Sequence, residues 1–148
     1  MNDLEIAKNV VVDFIKEMNL WEKECNNIEK EVSLSYQEKT ERKKELLVKL
    51  FNKFCTNKKR TYGRPNVIDY GTNGYYEYDP DKEVIEEVTE ENKKIIVITY
   101  RESPLKTKYM YILLKKGEYW LIDSKKKCFL LEIMWSYILH LDLSLIHI

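Results

Sequence analysis

The sequence predicts an α+β fold: two N-terminal helices packed on a curved, mostly antiparallel, cone-like β-sheet. Three observations predict it. Apolar residues recur at helical spacing only ahead of Cys55. From Val67 to Ile122 the chain alternates short β-branched and aromatic runs with polar turns. No helical pattern returns between those runs, which excludes a doubly wound parallel sheet.

The first helix starts at Asn2 or Asp3, either of which can cap it, and runs to about Glu29. Ala7, Val11, Phe14, Ile15, Met18, Trp21, Cys25 and Ile28 recur at steps of three and four, one continuous stripe. The valines at 10–12 work against helix, and the longer periodicity outweighs them. A second helix covers 36–55, with Leu46, Leu47, Leu50, Phe51 and Phe54 on one face and its lysines away from it. That stripe is short, so the first two turns project into solvent. Residues 56–65 are polar and end the helix. Extended pieces are expected at 67–70, 75–78 and 83–88, and the strongest strands at 94–101, 107–115 and 118–123. Residues 91–93 and 116–117 supply the turns. In the last strand Trp120 and Ile122 share the face expected to look toward the helices.

At 148 residues the chain is long enough for one domain with a real core, placed at residues 1–127. The 44% apolar and 34% charged fractions fit a globular protein with a heavily solvated surface. Net charge is zero, which argues against a general polyanion binder, yet the charges are segregated. Glu77, Asp79, Asp81, Glu83, Glu86, Glu87, Glu90 and Glu91 are opposed only by Lys82. These eight are the candidate partner-binding residues, since a charge block of this kind steers a partner's approach. Between residues 38 and 64 the bias reverses, with ten basic residues against Glu38, Glu41 and Glu45.

Residues 128–148 form a doubtful tail. The text turns abruptly apolar after Lys127, as a frame shift in the codons of Lys125–Lys127 would produce. The last six residues, LSLIHI, match a translation of the transposon mosaic end used in sequencing libraries. The N-terminus has no basic region followed by an apolar run, and no window approaches a membrane span. A cytoplasmic protein is expected, with no membrane partner.

Most routes to catalysis are missing from the text. No histidine precedes His140, there is no Gly-rich phosphate loop, and Cys25, Cys55 and Cys128 are too widely spaced for a zinc site. Cys25 sits among apolar neighbours and reads as a buried, unreactive thiol. Asp69 and Asp123 are the candidate general bases, but each needs a second converging polar group. Tyr70, Tyr75, Tyr76 and Tyr78 crowd one acidic segment that would repel phosphate, so aromatic packing is the simpler reading. No catalytic, cofactor-binding or metal residue is assigned, and no cofactor is expected.

Three stretches in order, residues 51–66 (FNKFCTNKKRTYGRPN), 75–87 (YYEYDPDKEVIEE) and 111–127 (YILLKKGEYWLIDSKKK), carry a resemblance. With the helix around Trp21 (FIKEMNLWEKE), they resemble bacterial immunity proteins of the nuclear transport factor 2 fold. These are antidotes in polymorphic toxin systems of the Rhs type. The resemblance implies a non-enzymatic cytoplasmic protein that binds and neutralises one cognate toxin domain, and it transfers no binding residues. A basic nuclease toxin would suit the acidic run. Two other classes stay open: a small-molecule-binding or lyase-type enzyme using the cone's interior, and a nucleic-acid accessory protein acting through Lys58, Lys59 and Arg60.

Overall fold

The computed structural model describes residues 2–72 and 74–128. Two helices, α1 (Asp3–Glu29) and α2 (Tyr36–Phe54), precede four strands, β1 (Glu83–Glu91), β2 (Lys94–Arg101), β3 (Thr107–Lys116) and β4 (Tyr119–Cys128). The chain divides into two compact units. One spans Asp13–Pro80; the other joins the residues before Asp13 to those after Pro80.

Helix α1 is built on the expected stripe. All eight predicted α1 positions are buried, from Ala7 to Ile28. Asn2 caps the helix, its Oδ1 accepting from the Glu5 N–H at 2.9 Å. α2 begins at a capping box in which Ser35 Oγ accepts from the Glu38 N–H while Glu38 accepts from the Ser35 N–H. The helices run antiparallel, because early residues of α1 meet late residues of α2. Phe14 packs edge-on against Phe51 and Phe54, with centroids 6.0 and 5.8 Å away. Trp21 Nε1 donates to the Lys43 carbonyl at 3.0 Å, and Lys39 Nζ reaches the Glu29 carbonyl. Burying each large apolar side chain here contributes about 1.5–3 kcal/mol. Burial also pushes the Cys25 and Cys55 thiols up to about 12, so both are neutral and inert.

The sheet is an antiparallel meander in the order β1-β2-β3-β4. Asn92 and Lys93 both take positive φ (49° and 65°) in a two-residue turn, the geometry that matches strand twist. Gly117 turns β3 into β4 with φ 64°. On the buried face Ile95, Val97, Thr99 and Arg101 lie opposite Leu113, Tyr111, Tyr109 and Thr107. Two bulges re-aim side chains. In β1 the register skips Glu86, and in β4 it skips Asp123. The second bulge brings Lys125 onto the face of Trp120 and Ile122, since Ile122 pairs with Leu113 and Lys125 with Tyr111.

Two expectations are corrected. Residues 67–70 and 75–78 are not strands, because side chains of α1 and of Arg64 occupy their backbone groups, as described below. β4 does not end at Asp123; the bulge absorbs the polar step and pairing continues to Cys128. Cys128, the first residue assigned to the tail, therefore closes the last strand, with 1% exposure. The rest of that tail lies outside the described residues.

Candidate partner-binding surfaces

The eight acidic candidates do not form one free ribbon. Glu83 points inward and is 5% exposed; its Oε2 accepts from Thr99 Oγ1 at 2.5 Å and from Tyr111 OH at 3.0 Å. Glu77 is ion-paired with Arg64, and Glu86 with Lys108. Asp79 and Asp81 lie in the turn before β1, Asp79 half-buried and Asp81 exposed. That leaves Glu87, Glu90 and Glu91, all exposed, along an edge strand. An edge loaded with carboxylates and broken by a bulge also discourages pairing with other chains. Glu83 is thus an interior group and Glu77 a half-buried one, and each completes hydrogen bonds that burial of its partners would otherwise leave unmade.

The segment between α2 and β1 has no helix or strand among its described residues, yet it is held firmly. Asn19, Glu22 and Asn26 stand at helical spacing on α1 and reach out to it. Glu22 is fully buried: Oε1 accepts from the N–H groups of Gly71 and Glu77 and Oε2 from that of Tyr78, all at 2.9 Å. Asn19 Nδ2 donates to the Tyr78 carbonyl at 2.7 Å and Asn26 Nδ2 to the Gly71 carbonyl at 2.9 Å. Arg64 donates twice to the Asp69 carbonyl and lies over Tyr78, 5.6 Å from the centroid. Burial works against its charge, but Glu77 and the neighbouring acids hold its pKa above the ordinary arginine range. Gly71 has no room for a side chain: a Cβ there would lie 2.1 Å from the Tyr75 carbonyl oxygen. A segment pinned this way presents Tyr62 (91% exposed), Val67 and Tyr75 (78% exposed) at low ordering cost.

The tyrosine cluster does not form a stacking pocket. Tyr70 packs edge-on against Trp21 at 6.0 Å, Tyr78 against Phe14 at 5.6 Å, and Tyr76 lies under the Lys23 ammonium. Lys43 Nζ, buried in α2, bonds Glu29 at 2.6 Å and Tyr70 OH at 2.8 Å. Of the basic triplet, Arg60 is turned back onto Thr56. Asp69 is exposed and Asp123 sits at the β4 bulge, half-buried.

Sequence reasoning missed Asn19, Glu22 and Asn26. Their signal was legible: polar residues at i, i+3 and i+7 inside a helix otherwise buried along that side. It also missed Leu20, apolar and 57% exposed outside the α1 stripe, while Leu46, placed on the apolar face of α2, is 37% exposed.

The described residues thus form a two-helix, four-strand α+β chain with a pinned loop and an acidic edge strand. The family model of the nuclear transport factor 2 fold immunity proteins matches residues 6–137, and the chain belongs to that family. It is 30% identical over 135 residues to immunity protein RhsIA of Dickeya dadantii (strain 3937), covering 91% of this chain and 96% of that protein. No solved structure matches it. These findings carry the immunity function and give no support to the enzyme alternative. No described helix is long and apolar enough to cross a membrane.

Proposed function

We propose that this protein neutralises one cognate toxin domain in the bacterial cytoplasm by tight association, without turning over any substrate. Membership of the immunity family over residues 6–137 carries the reading. The interior chemistry supports it. Glu22, the most deeply buried carboxylate among the described residues, is spent on three backbone N–H groups. A carboxylate held by three backbone N–H groups organises the loop around it. The exposed acids of β1 suit a toxin that presents positive charge, as a nuclease must toward phosphate. A stable complex of this class buries on the order of 1,600 Å².

Co-expression with the toxin domain encoded beside this gene tests the reading. Growth is expected to be rescued, and the two chains should co-purify. A toxin that kills equally well in the presence of the folded protein overturns it.

A further inference from the structure

An apolar slot of ≈ 300 Å³ runs between α1 and α2. Its walls are Leu20 and Trp21 from α1 and Leu46, Leu50 and Phe54 from α2. Trp21 spends its polar N–H on the Lys43 carbonyl, so the ring offers only apolar surface to the slot. The charges along the two lips are sorted by sign. Glu17 and Glu24 line the α1 side, and Lys49 and Lys53 line the α2 side. None of the four takes part in an ion pair among the described residues. Elsewhere on α2 the buried cation Lys43 is matched at 2.6 Å. Lys53 Nζ lies 5.1 Å from the centroid of the Phe54 ring, at the edge of the slot.

We propose that this slot receives an amphipathic helix of the cognate toxin domain. Its apolar stripe sits on Leu20 and Leu46, with basic residues along the flank facing α1 and acidic residues along the flank facing α2. The proposal rests on the immunity reading and names the surface that performs it. A helix fits for three physical reasons. Both walls are helices whose backbone groups are already bonded, so an added strand would find no ladder. A helix brings its own backbone hydrogen bonds and can lay a ridge into the groove between two others. The residues from Glu17 to Glu24 span about 10 Å, two turns, matching an i, i+3/i+4, i+7 set of anchors. A small molecule fits poorly, because the floor offers no polar group to orient it.

The test measures calorimetric affinity for the catalytically inactivated toxin domain encoded beside this gene, with melting temperature and gel-filtration size recorded for every variant. Leu20→Glu and Leu46→Glu should each weaken binding by about 30-fold or more while the protein stays folded. Glu24→Lys should weaken it less, in a salt-dependent way. Val32→Glu, at an apolar site 98% exposed and outside the slot, should leave affinity unchanged. Affinities of both leucine variants within threefold of wild type overturn the proposal. So does a Leu20→Glu protein that melts like a core mutant yet binds normally, which assigns the slot to this chain's own residues. A change from dimer to monomer at unchanged toxin affinity assigns it to a second copy and overturns it too. Wild-type protein that binds no toxin overturns the immunity reading itself, a separate result.

Discussion

At the scale of single residues, Glu22 and Gly71 decide whether the loop before β1 has one conformation. Glu22 accepts three backbone N–H bonds in a fully buried position. In Glu22→Gln the amide group necessarily turns an N–H₂ donor toward at least one of those donors. Two donors then face each other with no water between them. The expected loss is about 1–3 kcal/mol, the range for leaving a buried polar group unpaired, read from the midpoint of urea unfolding. Stability within 0.5 kcal/mol (about the noise of a surface substitution) would show that the carboxylate is not needed. Gly71 gives a sharper comparison. Its Cβ would meet backbone at 2.1 Å, whereas a Cβ at Gly74 meets nothing within 4 Å but sits at φ +88°. Gly71→Ala must therefore displace the chain that Glu22 holds. Gly74→Ala incurs only the backbone strain, about 1 kcal/mol. Gly71→Ala is expected to be the more damaging of the two, and to loosen the amides of Gly71, Glu77 and Tyr78 to hydrogen exchange.

At the scale of elements, the α1–α2 hairpin carries a pH signature. The hydrogen bond from Lys43 holds the Glu29 carboxyl below its usual 4.5. Burial lowers the Lys43 pKa, but its bonds to Glu29 and Tyr70 outweigh that and raise it above the usual 10.5. A depressed acid stabilises above its unfolded pKa and loses that contribution as pH falls through the folded value. A raised base stabilises below its unfolded pKa and loses it as pH rises through the folded one. Lys43→Met should thus melt below wild type near neutral pH. The gap should narrow as pH drops below 4.5, and again above 10.5. A gap that stays constant from pH 3 to 8 would assign the cost to packing alone. Elements set by local pattern were legible in the sequence. The α1 stripe was read residue by residue, and β2 has the expected bounds. The piece at 75–78 was misread because its backbone partners, Glu22 and Asn19, lie more than 45 residues away, and the piece at 67–70 because the Arg64 side chain takes the Asp69 carbonyl. The acidic run was legible as charge but not as surface. Its division depends on strand parity and on a bulge at Glu86, which turn Glu83 inward and set Glu86 against Lys108.

At the scale of the whole molecule, net charge is zero while the two signs occupy different stretches of chain. A protein of this kind keeps long-range attraction to a charged partner without the self-repulsion of a large net charge. Glu87, Glu90 and Glu91 are the acids of the run that stay exposed without a matching cation among the described residues. The charge of an exposed edge acts mainly on encounter, whereas the apolar slot acts on how long the complex lasts. The two contributions therefore separate kinetically. Reversing Glu87, Glu90 and Glu91 to lysine should slow association with a basic toxin by about tenfold at low salt, an effect that shrinks as salt screens the field. Dissociation should change little. Leu20→Glu should do the opposite, speeding dissociation with association nearly intact. Stopped-flow traces of both variants at two ionic strengths read the four rates. Faster association after charge reversal would mean that the toxin surface is acidic, and the nuclease assignment would fall while the immunity function stood.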